Sequence, residues 1–298
     1  MRNRERPVEG RRPRKKHRLI RLLICLMLLV AVMAGYARYI EPYLLTQESV
    51  QYVSEDLAEL LNGIRIAIFA DTHFSEYYTP EDFQKVVDRI NAEKPDLIFF
   101  LGDLIDDYST YPGDVGEIEK GLCSLEAGIG KYAVYGNHDY GGKMEFDYPE
   151  VMKAGGFHLL INESVYLEDL NLEVMGIDDM VIGYGDPDAA AVLKEERYNV
   201  VLCHEPDIAD RLKSYAVDLM LSGHTHGRQI NLVNIHQRIG TDNPVTCPEI
   251  FVRSLEVGHR ERSVPELECH ETVAVLADFL LAELPVPDML LCQNIIRL

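Results

Sequence analysis

Five short apolar runs in this chain each end on residues able to bind a metal ion. Residues 66–70 run into Asp71, 97–101 into Gly102 and Asp103, 132–135 into Gly136 and Asn137, 200–203 into His204, and 217–221 into Ser222, Gly223 and His224. A run of four to six apolar residues bounded by turn-forming residues reads as a buried strand. The carboxyl ends of strands in an α/β sheet are where such proteins hold their ligands. The pattern therefore predicts that side chains far apart in sequence meet along one sheet edge.

The endings belong to four motifs in fixed order: Asp71-Thr72-His73, Gly102-Asp103-Leu104-Ile105-Asp106, Gly136-Asn137-His138-Asp139 and Gly223-His224-Thr225-His226-Gly227, with His204 standing alone before the last. They offer carboxylate, amide carbonyl and imidazole donors with no competing cysteine cluster, a set suited to hard or borderline divalent ions. Taken singly each has a plainer reading. Asp71 and Asp103 read as strand-end caps, His204 as a core histidine, and Asp-x-His is a weak signal. Five such endings in order point to a metal site. His17, His158, His236, His259 and His270 lie outside the motifs and read as surface or core.

The motifs resemble those of the calcineurin-like metallophosphoesterases, most closely the membrane-associated bacterial phosphodiesterase branch that carries Gly-Asn-His-Asp-Tyr and Gly-His-Thr-His-Gly. The resemblance covers about residues 64–229. It implies two divalent cations (manganese, iron or zinc), one held by Asp71, His73, Asp103 and His226 and the other by Asp103, Asn137, His204 and His224, with Asp103 bridging. Two cations about 3.5–4 Å apart generate a hydroxide nucleophile near neutral pH and clamp a phosphoryl oxygen for in-line attack. The resemblance makes His138 the general acid for the leaving alkoxide. It makes Asp106 the carboxylate that steers His138, with Asp139 the lesser candidate for that task.

The front of the chain has a different character. Residues 1–21 carry a net charge of +8 and the remainder −28. Residues 22–37 hold no charge, and with Leu19 and Ile20 added they suffice for a short membrane span if Arg21 reaches the headgroups. The expected organisation is a basic cytoplasmic tail (1–21), a transmembrane signal-anchor (22–40), a linker (41–63), a catalytic domain (64–230) and a divergent tail (231–298). The excess of Lys and Arg before the span predicts a single-pass protein of the cell membrane, amino terminus in the cytoplasm and catalytic domain outside. Small residues at Ala31, Ala34 and Ala37 keep a cleaved signal peptide open as the alternative.

Thr79-Pro80-Glu81-Asp82 is a helix start with a hydroxyl cap and Pro in the first turn, and Phe83, Val86, Val87 and Ile90 supply a core-facing stripe. Further helices are predicted near 115–124, 148–153, 186–196 and 207–214, and local strands at 159–162 and 172–177. Strand-helix alternation alone reads as a mainly parallel sheet with helices on both faces. The resemblance implies instead an α/β fold built as a two-sheet β-sandwich flanked by helices, with the metals at one edge. Beyond Gln229 the resemblance stops. Residues 231–298, including a helix-like run at 271–284, read as a divergent ending, an oligomer contact or the product of a reading-frame slip.

The acidic balance disfavours a nucleic-acid partner, which needs a basic stripe. Asp107 and Tyr108 stand where phosphoprotein phosphatases of the resembled superfamily carry an Arg. The expected activity is a metal-dependent phosphodiesterase or pyrophosphatase acting on a lipid-linked or cell-envelope phosphate ester. The alternatives are a phosphomonoesterase or nucleotide phosphodiesterase on the same chemistry, and a membrane-anchored metal-binding module without turnover.

Overall fold

The computed structural model describes residues 14–40, 47–51, 59–226, 249–252 and 293–297. Two sheets face each other. The first has six strands, in the order β1 (Gln47–Gln51), β11 (Gln293–Arg297), β2 (Arg65–Phe69), β3 (Leu97–Phe100), β4 (Gly130–Ala133), β5 (His158–Leu159). The second has five, in the order β10 (Glu249–Val252), β9 (Leu219–Ser222), β8 (Tyr198–Leu202), β7 (Leu172–Gly176), β6 (Glu163–Leu167). Strands β2 to β5 are parallel to one another, as are β7, β8 and β9. The motif-bearing strands β2, β3, β4, β8 and β9 thus all belong to parallel stretches, so their carboxyl ends line one edge of each sheet.

Side-chain alternation along each strand builds the layers. Ile66 and Ile68 of β2, Phe99 of β3, Val174 of β7, Val200 and Leu202 of β8 and Leu221 of β9 fill the space between the sheets. The opposite residues of the first sheet, Ala67, Phe69, Ile98 and Phe100, pack against α2 (Pro80–Glu93), α3 (Val115–Cys123) and α4 (Met144–Ala154) through Phe83, Val86, Ile90, Ile118, Leu122 and Tyr148. On the outer face of the second sheet, Met175, Val201 and Met220 meet Ala190, Ile208 and Leu212, the last in the short α5 (Ala209–Leu212). The single central sheet read from alternation is therefore corrected: the parallel strands are split between two sheets, because both faces of each are apolar and each sheet needs its own outer cover.

Helix α2 starts where its sequence says, with the Asp82 carboxylate reaching back to the amide (3.3 Å) and hydroxyl (3.0 Å) of Thr79. Helix α4 begins four residues before Tyr148, at Met144. Pro149 within it cannot donate to the Glu145 carbonyl, and the Tyr135 hydroxyl takes that acceptor at 3.3 Å. The helix predicted over 186–196 is a 3-10 turn, Pro187–Val192. Residues 163–171, read as a connector, contain β6, which pairs antiparallel with β7. Val165 and Leu167 face the inter-sheet core, and the turn closes at Asn171 with φ 50°. Within 231–298, β10 and β11 are described and pair with β9 and with β1 and β2. The helix-like run at 271–284 lies outside the described residues. At the front, α1 (Arg14–Tyr39) includes a 20-residue stretch, His17–Tyr36, long and apolar enough to cross a membrane, a property that a signal sequence shares.

Candidate metal centre

The loops leaving β2 and β3 run side by side. The Asp71 amide donates to the Gly102 carbonyl (3.0 Å), His73 to Asp103 (3.2 Å) and Phe74 to Leu104 (2.9 Å). This pairing needs unusual backbone. Of the nine non-glycine residues with positive φ among those described, five are Asp71 (53°), His73 (39°), Asp103 (60°), His224 (71°) and His226 (48°). Left-handed backbone costs a side-chain-bearing residue roughly 1–2 kcal/mol, and it clusters where a site dictates side-chain direction. Two glycines allow the loops to touch. A Cβ on Gly102 would lie 2.4 Å from the Gly136 nitrogen, and one on Gly136 would lie 2.3 Å from Asp103 Oδ1.

The predicted ligand side chains converge. Donor atoms of Asp71, His73, Asp103 and His226 fall within 4.8 Å of one another, and so do those of Asp103, His204 and His224. Asp103 belongs to both groups. Asn137 joins the second through its Oδ1, 2.9 Å from His224 Nδ1. His73 Nε2 and His226 Nε2 stand 3.1 Å apart, as do His204 Nε2 and Asp103 Oδ2. With metal–ligand bonds of about 2.0–2.2 Å, neighbouring ligands of one coordination polyhedron lie about 3 Å apart, so these spacings and this donor set fit divalent cations. His204 supplies a further sign. It is fully buried, its Nδ1 sits 2.6 Å from the Leu101 carbonyl, and its Nε2 has no hydrogen bond of normal geometry. A ring held by one nitrogen with the other directed at carboxylates is the arrangement of a metal-ligating imidazole.

The electrostatics are those of a cation trap. Burial alone would raise the Asp103 carboxyl, but the charge of the adjacent His204 outweighs it and holds the group below the carboxylate range. Burial would conversely lower His204, and the Asp103 carboxylate lifts it well above the usual imidazole value. His73 is likewise raised against its burial, by Asp106 and then Asp103 and Asp71. The field of Asp71 and Asp103 thus draws protons onto His73 and His204, while burial and the neighbouring His204 lower His224; the same field would favour divalent cations in place of those protons.

His138 lies at the rim, its ring edge-on to His73 at 4.6 Å between centroids. Its Nδ1 is 2.6 Å from the main-chain carbonyl of Asp106 and 3.6 Å from the Asp106 carboxylate. That carboxylate is equally near His73 Nδ1, at 3.5 Å. Asp106 therefore reaches His138 by its backbone, and the His138 side chain keeps 38% of its surface exposed. Asp139 takes a part that sequence reasoning missed. Fully buried, it accepts the amides of Asp103 (2.9 Å), Leu104 (2.8 Å) and Gly136 (2.8 Å), tying the loops after β3 and β4 together. Burial, and then the nearby Asp103 charge, push its carboxyl up to about 7. Its place in the Gly-Asn-His-Asp motif was the one available signal. Gly227, Arg228 and Gln229 lie outside the described residues.

A family model for calcineurin-like phosphoesterases matches residues 64–228, more than half of the chain. The chain is 40% identical over 202 residues to the metallophosphoesterase YkuE of Bacillus subtilis, covering 66% of this chain and 70% of that protein. It is 27% identical over 250 residues to the UDP-2,3-diacylglucosamine pyrophosphatase LpxG of Chlamydia muridarum, covering 66% and 74%. To the phosphodiesterase YaeI of Escherichia coli it is 28% identical over 205 residues, covering 66% and 73%.

Proposed function

Because this chain belongs to the calcineurin-like phosphoesterase family, we propose that it is a binuclear metal-dependent phosphodiesterase or pyrophosphatase acting on a lipid-linked or cell-envelope phosphate ester. The observation that carries the binuclear reading is the pair of donor groups sharing Asp103. Asp71, His73, Asp103 and His226 would hold one cation, and Asp103, Asn137, His204 and His224 the other. When bound, such a pair supplies an activated nucleophile and charge stabilisation for a phosphoryl group. The protein's own residues then do the remaining work. Asp139 fixes the backbone of Asp103 and Gly136, and the His138 amide donates to Asp103 Oδ1 at 2.8 Å, orienting the bridging carboxylate. The Asp106 carbonyl holds the Nδ1 side of His138, so Nε2 delivers the proton to the departing oxygen.

The substrate class draws on two supports. The apolar stretch of α1 suits a membrane tether, and two relatives carry names that specify a pyrophosphatase of a diacylated sugar nucleotide and a phosphodiesterase. The test is hydrolysis of bis-p-nitrophenyl phosphate beside p-nitrophenyl phosphate, with and without manganese, for the parent and His138→Ala. Metal-dependent diester cleavage is the expected result, and on a diester whose leaving group is an alkyl alcohol and not p-nitrophenolate the variant should lose roughly 10²- to 10⁴-fold at unchanged metal content. Parallel loss of metal would remove His138 from the role of acid, and preference for the monoester would move the protein to the phosphomonoesterases.

A further inference from the structure

Beside the metal centre, the loop that joins β7 to the Pro187–Val192 turn displays three large apolar side chains to solvent: Val181 (61% exposed), Ile182 (57%) and Tyr184 (82%). An apolar loop in water ordinarily folds onto itself or onto a neighbour. This one is prevented from doing so by buried carboxylates beneath it. Asp179 Oδ2 accepts the amides of Ile182 and Gly183 at 2.6 Å each, and Asp178 Oδ2 accepts that of Tyr184 at 3.1 Å. Asn162 takes the amides of Asp178 (3.2 Å) and Asp186 (2.9 Å) and donates to the Tyr184 carbonyl (2.8 Å). Glu205 accepts from Met180 (2.9 Å), and the Asp179 carbonyl accepts from Gly185 (3.1 Å). The loop's amides are thus satisfied from the protein side while its aliphatic side chains point outward. Pairing of these amides within the protein lowers the cost of bringing the segment against an apolar phase, where no water remains to pair its backbone.

The loop is fastened to the site on two sides. The Tyr140 hydroxyl donates to both Asp178 oxygens (2.8 and 2.7 Å), and Gly183 backs onto the Tyr140 ring, where an added Cβ would lie 2.7 Å from Cε2. Tyr140 is two residues from His138, and Glu205 follows His204. A second contact involves the end of the apolar helix. Arg38, at the end of α1, lies over the Tyr77 ring at 4.4 Å, in the segment joining His73 to α2. The end of the apolar helix therefore contacts the segment that follows His73, and the apolar loop contacts Tyr140 and Glu205, which follow His138 and His204 in sequence.

We propose that the 178–186 loop is a bilayer-docking element: Val181, Ile182 and Tyr184 enter the interfacial region of the membrane that α1 crosses, turning the mouth of the metal centre toward the lipid surface. The proposal rests on α1 being retained as a span, and it refines the lipid-linked substrate reading. An aromatic ring with a hydroxyl beside two aliphatic side chains suits the headgroup boundary, and docking is intramolecular once α1 is inserted, so a small patch suffices.

The chain contains no tryptophan, so a single introduced indole reports alone. Full-length Ile182→Trp, reconstituted in phosphatidylcholine vesicles, should emit to the blue and lose emission when the acyl chains are brominated. Ile129→Trp, placed just before β4 at the opposite strand ends and 45% exposed in the parent, should emit from water and ignore the bromine. Aqueous emission from both positions, or equal quenching at both, overturns the proposal, as does failure of the protein to float with the vesicles. This readout needs no turnover, so it stands apart from the phosphodiesterase assignment. In a second arm, Val181→Asp/Ile182→Asp should lower hydrolysis of vesicle-borne phosphatidyl-p-nitrophenol by roughly tenfold or more, the value of burying aliphatic side chains, and leave soluble bis-p-nitrophenyl phosphate unchanged. Equal loss on both substrates would make the loop a structural support and overturn its docking role.

Discussion

The loops that follow the first sheet hold their ligands through an extended run of backbone pairing, whereas those that follow the second share only the Cys203-to-Leu221 and Gly223-to-His204 main-chain bonds (3.1 and 3.0 Å) and otherwise lean on the first. After β2 and β3, parallel pairing continues past the strand ends to the Phe74–Ile105 bridge, the Thr72 hydroxyl donates to the Leu104 carbonyl at 2.9 Å, and Asp139 clamps three amides. After β8 and β9, His204 is steered by the Leu101 carbonyl, and the His224 amide donates to the Asp71 carboxylate at 3.1 and 3.2 Å. Both partners come from the first sheet. His226 keeps 20% of its side chain exposed, against 1% for Asp71. One half of the centre is formed by folding, and the other is completed by contacts that a bound cation would reinforce.

The contrast makes Asp103 the hinge between halves, so Asp103→Asn carries the largest expected effect. Under the proposed function, metal should bind weakly at both donor groups that share Asp103 and diester turnover should fall by more than roughly 100-fold, the upper range for groups that merely support a ligand. Full retention of one metal would show that the halves bind independently. The next effect concerns the folded half alone. In Asp139→Asn an amide that brings two N–H donors replaces a carboxylate that accepts from three, leaving buried amides unpaired. Stability in urea should drop by about 1–3 kcal/mol. An unchanged midpoint would mean that the loops after β3 and β4 hold their geometry without the clamp.

The same contrast explains what could be read from sequence. Strand-end ligands are legible because the apolar run, the turn glycine and the donor are contiguous, as in 97–101 followed by Gly102 and Asp103. Helix α2 is legible because Thr79, Pro80 and Asp82 write its start locally. Asp139 was undervalued because its partners Asp103 and Leu104 lie 36 and 35 residues away, and nothing in a linear motif says that a carboxylate will receive backbone amides. Strand β6 was missed because only one of its faces is apolar and that face shows just Val165 and Leu167. The 178–186 loop was invisible for a related reason. Asp178 and Asp179 carry no motif in the sequence, and their partners Tyr140, Asn162 and Glu205 are brought to them only by the fold.

The smallest expected change follows metal removal. If the second half is completed by bound cations, chelation should raise amide exchange at His224 and the residues up to His226, while Gly223, bonded to the His204 carbonyl at 3.0 Å, and Asp71, His73, Asp103 and Leu104, held by their mutual pairing and by Asp139, stay protected. The change is confined to a few amides because β8 and β9 are themselves buried and paired, and segments open locally in proportion to how little holds them. Equal deprotection of both sets on chelation would mean that cations organise the whole edge, and that the positive-φ backbone of Asp71, His73 and Asp103 is maintained by metal coordination and not by the fold.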